Sequence, residues 1–520
     1  MIALSIRRQG RRTPSAVAGF LMMSLITLTV TLNFTHLALA EPHYGGTLRM
    51  AHELDAVGFD AIKARTAIGA GSNAAGLIME KLFEHGPTGE LVPVLGLSAT
   101  PSTDSKTWTI QLRQNITFHD GTPFNADAVV SHWERLLNPA NRYRGRILMA
   151  PIMSVEKGGP YEVRFHLKHA WKPFGSVLTG SRGFASRIPS PAAVTNDTQN
   201  HAPVGTGPYR FQEWRRGDRL VMTKNPNYWQ KDKPYLDKII LRPISDHESR
   251  YAALVSGQVD MMVTDRPTHV NKLKIDPRFT PYVLERAGAT VMAMNCSKPP
   301  LDDVRVRRAI AHAWDQKKYI RASFQDIVPS CQDWFGRKVN CGDVDYPAHD
   351  LQKARELIAS YGKPVTVEYI HTATPRGREA GAILQQILKD INVTVNAVPS
   401  DFPGIMKQLF GKQYDICSWV IPGFEDMGPI TMAAFHSQSP WNVYGYANAE
   451  VDQLLLAQRR DTDPAGRTQT LCKIARKVNA DAPFLYLYGR TFYIFARKNI
   501  RNITIPDHRV PPLDDVWIEP

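Results

Sequence analysis

The residue types that perform most enzyme chemistry occur in this chain without the spacing that catalysis or metal binding requires. The sixteen histidines are scattered, and the five cysteines include no Cys-x-x-Cys or Cys-x-x-His pair of the kind that holds zinc. The chain also lacks the G-x-S-x-G turn of hydrolases, the H-E-x-x-H pair of zinc proteases and the G-x-x-x-x-G-K-S/T loop of nucleotide-binding proteins. We therefore expect no catalytic residue, no cofactor and no metal, and a protein that is not an enzyme.

One stretch, Gly69 to Ala74, matches the G-x-G-x-x-A pattern of dinucleotide-binding turns. In those turns the glycines follow a strand and let the backbone approach a pyrophosphate at the start of a helix. The preceding stretch from Phe59 to Ile68 is not a convincing strand. We therefore interpret the pattern as a Gly-rich loop.

The first forty residues have the pattern of a signal peptide. A basic start is followed by an apolar run from about Ala16 to Leu32 and by small residues ending at Ala40. Hydroxyl side chains interrupt the run, which is short for a bilayer span, and no cysteine near the cleavage point indicates a lipid anchor. We predict cleavage after Ala40 and a soluble periplasmic protein, with the general secretory and twin-arginine routes both open. The basic residues are Arg7, Arg8, Arg11 and Arg12.

The formal net charge of +14 is spread along the chain. Lysines and arginines are interleaved with acids, and no long block of like charge would bind nucleic acid or a membrane surface. We therefore expect a solvated basic surface and no nucleic-acid partner.

Helix and strand patterns alternate along most of the 520 residues, which is typical of a mixed α/β protein. This length exceeds what one hydrophobic core supports and predicts two or three domains. Period-two alternation predicts strands at 107–112, 161–167 and 393–395, and an apolar run predicts a buried strand at 483–489. Helical spacing predicts helices at 351–359 and 379–388 and one that begins after Asn125 or Asp127.

Five cysteines in an exported chain predict disulfide formation. Cys331 and Cys341 bracket a short Gly-containing stretch, and we predict that they pair. Closing such a loop restricts the unfolded chain and stabilises the fold by about 2 to 3 kcal/mol. Cys296, Cys417 and Cys472 lie in apolar patterns, and at least one of them must be free.

Four long motifs occur in the order found in one family. They lie at 45–49, 118–129, 203–229 and 298–310, and include Gly205-Thr206-Gly207-Pro208 and Asn225-Pro226-Asn227-Tyr228-Trp229. Together they resemble the extracytoplasmic solute-binding proteins, family 5, which serve ABC importers for peptides, nickel and related solutes. The resemblance spans essentially the whole mature chain. It implies a two-lobed periplasmic binding protein fold of class II (cluster C), with an extra subdomain in the first lobe.

The same resemblance implies domain boundaries. The first lobe would combine 41–75, 206–288 and 489–520, with the extra subdomain at 76–205 and the second lobe at 289–488. Solute would bind in the cleft between the lobes and favour a closed state.

Cleft residues are also implied by the resemblance. Trp419 and Asp426 match a Trp and an Asp that face the cleft in peptide-binding members, where the acid pairs with a ligand amine. Glu425 is an alternative to Asp426, because the usual Asp-Pro is replaced by Asp426-Met427. A structural role remains open, with Trp419 in the core and Asp426 capping the next segment.

Basic residues that could hold a ligand carboxylate lie upstream of this stretch. His371 falls near the position that dipeptide binders use, and Arg376 lies on the adjoining turn. The family pattern is not kept here, and Arg376 could equally be solvated. Gly71 and Ser72 could line the cleft from the first lobe and offer backbone donors.

The function implied is that of a monomeric substrate-binding component. It would capture a peptide or peptide-like solute and deliver it to the permease and ATPase of an ABC importer in the inner membrane. Nickel chelate, opine, glutathione-like and oligosaccharide solutes remain open. Two different functions also remain open: a sensor subunit that presents its ligand to a chemoreceptor, and a secreted enzyme.

Overall fold

A computed structural model describes residues 41–64, 69–86, 90–180, 186–424, 426–505 and 511–520. The predicted signal peptide, 1–40, and Glu425 lie outside these residues. Within the described ranges, no helix combines the length and apolar character needed to cross a membrane. The strands are β1 Thr47–His52, β2 Phe83–His85, β3 Leu91–Pro93, β4 Gly96–Pro101, β5 Thr107–Leu112, β6 Ile152–Gly159, β7 Glu162–Leu167, β8 Tyr209–Arg215, β9 Arg219–Lys224, β10 Lys238–Pro243, β11 Met261–Thr264, β12 Phe279–Met294, β13 Val365–Thr372, β14 Val393–Ser400, β15 Ile416–Pro422, β16 Phe484–Arg497, β17 Ile500–Arg501 and β18 Trp517–Ile518.

Helices alternate with these strands along most of the chain. Most of those in the second half of the chain begin at a short polar side chain that accepts a backbone N–H of the first turn, as Asp303, Asp350 and Asn448 do. The helices are α1 Gly69–Ile78, α2 Ala126–Leu137, α3 Gly175–Thr179, α4 Pro191–Thr195, α5 His247–Ser256, α6 Pro267–Ile275, α7 Val304–Ala313, α8 Gln316–Phe324, α9 Leu351–Tyr361, α10 Pro375–Lys389, α11 Phe402–Phe410, α12 Met427–Phe435, α13 Ala449–Arg460 and α14 Pro464–Asp481.

A ten-stranded sheet runs through the molecule in the order β14-β13-β15-β12-β16-β11-β1-β10-β9-β8. In one part β1 lies parallel to β10 and β11, and in the other β13 lies parallel to β14 and β15. The long strands β12 and β16, antiparallel to each other, connect the two parts. We call the part with β1 and β8–β11 the first lobe and the part with β13–β15 the second lobe.

The crossing region contains an irregularity where the two lobes join. The register between β12 and β16 shifts between Glu285 and Ala289. Gly288 has φ +98, and a Cβ there would lie 2.3 Å from the carbonyl oxygen of Ile421. Glycine is therefore required where β12 passes from one lobe to the other.

A four-stranded antiparallel sheet, β4-β5-β7-β6, forms a separate layer. Trp133 of α2 packs edge-on against Phe165 of β7, with ring centroids 5.2 Å apart. The strand predicted at 107–112 is confirmed with the same bounds, and Asn125 caps α2 by accepting from the N–H of Ala128. The short helix Arg144–Met149, which precedes β6 of this sheet, contacts α12 in the second lobe.

The Gly-rich stretch is helical, so its interpretation as a loop is wrong. Ala70, Ala74 and Ile78 lie at helical spacing on α1 and are fully buried. The small residues permit close packing, since a Cβ on Gly71 would lie 3.1 Å from the Cβ of Ala56. Burial of this face outweighs the unfavourable helix propensity of glycine.

The Gly205-Thr206-Gly207 motif has a packing function at the end of α1. A Cβ on Gly205 would lie 2.1 Å from the carbonyl oxygen of Ile78, and the N–H of Gly207 donates to that oxygen at 2.9 Å. The glycines thus bring two backbones into contact, as their architectural interpretation predicts.

The predicted disulfide between Cys331 and Cys341 is wrong. Cys341 is bonded to Cys472 of α14, and Cys331 is free. Between them the chain enters the core at Trp334, which is fully buried and donates to the hydroxyl of Thr431 at 3.0 Å. This anchor separates two cysteines that are close in sequence.

Candidate functional site

The carboxyl ends of the parallel strands in the two lobes come together. In open α/β sheets, ligands bind outside the carboxyl ends of parallel strands. Asp265 directly follows β11 in the first lobe, and Arg376 lies in the first turn of α10, which follows β13 in the second. The Nη1 atom of Arg376 donates to Oδ2 of Asp265 at 2.7 Å. The two edges therefore face each other across a cleft.

This ion pair is largely shielded from solvent. The side chains of Asp265 and Arg376 are 14% and 31% exposed, and the guanidinium lies 5.1 Å from the ring centroid of Phe324. Burial opposes both charges, but their mutual attraction dominates. The pKa of Asp265 lies below its ordinary value and the pKa of Arg376 lies above it. Arg376 is thus engaged with the opposite lobe rather than solvated.

A second polar contact joins the lobes nearby. The side-chain amide of Asn271, on α6, donates to Oε1 of Gln325 at 2.9 Å. Gln325 follows α8 and has a left-handed backbone with φ 47. This contact and the ion pair therefore both join the first lobe to the second.

At another part of the cleft, a pocket lies between the segments beside the small sheet and the start of α12. Its volume is about 490 Å³, including its open mouth. The short helix Arg144–Met149 packs against α12 across it, and Leu148 contacts the core of the second lobe. The lining is mainly apolar, with Asp426 as its one carboxylate among the residues that the structure describes: Tyr143, Gly145, Leu148, Met149, Ser176, Val177, Gly180, Ser186, Phe424, Asp426 and Pro429.

Asp426 caps α12 and is ion-paired within its own lobe. Its Oδ1 accepts from the N–H of Gly428 at 2.8 Å and from Nη2 of Arg467 at 2.6 Å. The two side chains are 11% and 15% exposed. Its Oδ2 is buried and has no hydrogen-bond partner among the described residues. The hydrogen bonds of this carboxylate are therefore made through one oxygen, and they serve the fold.

A second arginine lies close to this carboxylate. Arg459 of α13 is 7% exposed, and its Nη2 has no hydrogen-bond partner among the described residues. Burial lowers the pKa of Arg459 to about 10, against the attraction of Asp426. The guanidinium is still protonated at neutral pH, so a second positive charge acts on this carboxylate.

The other predicted site residues lie at varied positions. Trp419 is half-buried on β15, edge-on to the ring of Phe410 with centroids 5.9 Å apart, and is not part of the pocket lining. His371 is 3% exposed at the end of β13, where its Nδ1 donates to the carbonyl of Thr372 at 2.9 Å. The structure therefore does not bring Trp419 and Asp426 into one pocket.

Two predicted residues of the first lobe lie on α1. Gly71 is buried against Ala56, and Ser72 is half-buried. The N–H of Ala70 donates to the carbonyl of Leu54, just beyond β1, at 3.0 Å. The first turn of α1 therefore lies beside the carboxyl edge of the first lobe.

Sequence reasoning missed Asp265 and both arginines that surround Asp426. The sequence does indicate Asp265 as a candidate, because it directly follows the apolar run Met261-Met262-Val263-Thr264. No sequence pattern indicates Arg467 or Arg459, since Asp426 is 41 and 33 residues away from them, respectively, in the chain.

Comparison with known proteins gives a consistent set of matches. The family model described as bacterial extracellular solute-binding proteins, family 5 Middle, matches residues 90–442. The glutathione-binding protein GsiB of Pectobacterium atrosepticum is 29% identical over 427 residues, which are 78% of this chain and 82% of the relative.

Solved structures match over nearly the full length. The periplasmic binding protein DppA of Helicobacter pylori, in complex with the peptide STSA, superposes with a TM-score of 0.83 at 23% identity, covering 92% of this chain and 99% of that one. NikA of Brucella suis, in complex with Fe(III)-EDTA, gives a TM-score of 0.79 at 21% identity, covering 91% and 100%. These likenesses confirm the two-lobed binding-protein fold.

Proposed function

Because the chain belongs to the bacterial extracellular solute-binding proteins, family 5, we propose that it captures a peptide or peptide-like solute between its lobes for an ABC importer. The family match over residues 90–442 carries this proposal. The contacts between Asp265 and Arg376 and between Asn271 and Gln325 support it, because each joins a segment of the first lobe to a segment of the second. Closure around the solute supplies the capture step, and the open form releases it to the permease and ATPase.

The solute class is supported by the relatives. GsiB is named for glutathione, and DppA was solved with the peptide STSA. The pocket beside α12 supports a ligand with side chains, because it is mainly apolar and has few polar groups to fix an orientation. We propose that short peptides or glutathione-like compounds are bound without turnover.

Two features of the chain support a periplasmic location. A segment with the pattern of a signal peptide occupies 1–40, and a disulfide between Cys341 and Cys472 fits an oxidising environment. We propose that the protein is exported to the periplasm and acts there as a monomer.

Lobe boundaries are proposed as the sequence predicts them. The first lobe would combine 41–75, 206–288 and 489–520, with a subdomain at 76–205 and a second lobe at 289–488. The small sheet at 96–167 and the crossing strands β12 and β16 support this division.

Native mass spectrometry of protein purified from periplasmic extract tests the function. We expect retained masses that correspond to short peptides or glutathione-like compounds. A single metal-chelate or sugar mass would contradict the solute class. Incubation of the retained compound with fresh protein should leave its mass unchanged, and a product mass would contradict a binding role.

A further inference from the structure

The two strands that cross between the lobes are hydrogen-bonded to one and the same segment. The N–H of Gly288 in β12 donates to the carbonyl of Trp334 at 2.9 Å, and the N–H of Gly489 in β16 donates to the carbonyl of Pro329 at 2.8 Å. Both acceptors belong to residues 329–334, which follow α8 and which we call the brace segment. The brace segment therefore holds both crossing strands.

Side chains from several elements fix the brace segment within the second lobe. Trp334 is fully buried in a hydrophobic cluster that includes residues of β13 and β15. The side-chain amide of Gln316 on α8 donates to the carbonyl of Cys331 at 2.9 Å, and that of Asn479 on α14 donates to the carbonyl of Gln332 at 2.8 Å. The disulfide ties the chain beyond the brace segment to α14. The brace segment is thus anchored to the second lobe.

Strand pairing changes at the level of these contacts. Up to Glu285, β12 pairs with the part of β16 that borders β11 in the first lobe. From Gly288 onward, β12 also pairs with β15 in the second lobe. Between the two, the ladder with β16 is interrupted, and 286–288 lie opposite the single residue Arg490. An interrupted ladder bends more easily than the regular ladders on either side of it.

These contacts keep Gly288 and Gly489 with the second lobe, so a bend between the lobes falls on the first-lobe side of both. Resting on the proposed function, we propose that the lobes close by bending at 286–287 of β12 and at Arg490 of β16, and that the brace segment fixes this pivot. A fixed pivot limits the open arrangements of the free protein. Less conformational entropy is then lost on closure.

Hydrogen exchange resolved to single amides tests the proposal on the native full chain, with glutathione and trialanine as probes and small-angle scattering as the measure of closure. We expect the radius of gyration to fall when a probe binds. Exchange at Gly288 and Gly489 should change by less than about threefold, because both N–H groups stay bonded in either state. A greater slowing on binding would show that the brace segment releases the strands when the lobes open, and would overturn the proposal.

Gln316→Met removes the donor to Cys331 and nearly preserves the length of the side chain. The carbonyl of Tyr486, which Gln316 also contacts, still accepts from the indole N–H of Trp314 at 2.9 Å. Exchange at both glycines should become about tenfold faster in the ligand-free variant, because the brace segment loses one of its hydrogen bonds.

Gln385→Met is the matched control, because its side-chain amide donates to the carbonyl of Val395 at the same distance of 2.9 Å. That bond joins α10 to β14 at the edge of the sheet, away from the crossing strands. The control should change exchange at both glycines by less than about twofold. If Gln316→Met accelerates this exchange no more than the control does, the brace segment does not fix the pivot.

Failure of the proposed function gives a different result. If neither probe binds, or if binding leaves the radius of gyration unchanged, capture of peptide-like solutes by closure is contradicted. The two variants are compared as ligand-free chains, so they still decide whether the brace segment holds the crossing strands. The exchange measured on the native chain needs no substitution and decides the proposal if Gln316→Met does not fold.

Discussion

Asp265→Asn removes the negative charge of the ion pair between the lobes and leaves the size of the side chain unchanged. In the closed arrangement Arg376 would then be held against Phe324 without a counter-charge. In an open arrangement both side chains are hydrated, so the substitution costs little there. The change therefore acts on the equilibrium between the two states.

The size of the effect follows from the exposure of the two partners. Exposed ion pairs contribute about 0 to 1 kcal/mol, whereas hydrogen bonds to charged groups contribute about 1.5 to 3 kcal/mol. Asp265 is 14% and Arg376 31% exposed, which places the pair between these classes. We expect a loss of about 1.5 kcal/mol in the closed state, or about a tenfold weaker apparent affinity if the free protein is mostly open.

Isothermal titration calorimetry with the retained solute measures the affinity, and small-angle scattering measures the compactness of the chain with and without it. Asp127→Asn is the control, because its partner Lys157 lies in the same small subdomain and both are well exposed. The control should change affinity by less than about twofold. If Asp265→Asn binds as tightly as the native chain and closes to the same radius of gyration, the pair has no part in closure.

Three further predictions concern stability, each measured by urea denaturation. Cys472→Ser should lower the free energy of unfolding by about 2 to 5 kcal/mol, because it opens a cross-link of sequence separation 131. The control Cys331→Ser should change that free energy by less than about 1 kcal/mol, because Cys331 is free. A larger loss of stability in Cys331→Ser than in Cys472→Ser would contradict the pairing. Burial raises the pKa of Glu80 to about 7, so the native chain should lose about 3 kcal/mol of stability as pH rises from about 4.5 through 7. Glu80→Gln should remove this pH dependence. If the stability of the variant and of the native chain changes with pH in the same way, the prediction is contradicted. Gly288→Ala should destabilise the chain by about 1 to 3 kcal/mol, since its Cβ would meet the carbonyl oxygen of Ile421, and an unchanged midpoint would show that the crossing adapts.

Local patterns predicted the elements well because their causes are local. The helix at 351–359 is confirmed as α9, Leu351–Tyr361, whose Ala354 and Ile358 face the core. The buried strand at 483–489 is confirmed as the first half of β16. In both cases consecutive residues show the pattern of apolar side chains that predicts which ones are buried.

Pairings between distant segments could not be predicted in the same way. The loop pattern at Gly69 suggested a backbone turn, but packing of small residues against β8 and β10 selects a helix. Cys331 and Cys341 were paired on proximity in sequence, although the buried Trp334 between them separates their surroundings. The sequence matches Asp426 to an amine-binding acid, but its partner Arg467 lies 41 residues away in the chain and is brought to it only by the fold.

The position of β16 also has a consequence for how the chain is made. Residues 484–497 lie between β12 and β11 at the centre of the sheet, although β11 and β12 come much earlier in the chain. A polypeptide that emerges N-terminus first therefore exposes unpaired edges of β11 and β12 until β16 has been delivered. Such non-local pairing slows folding, and a chain truncated before residue 484 should leave neither lobe stable.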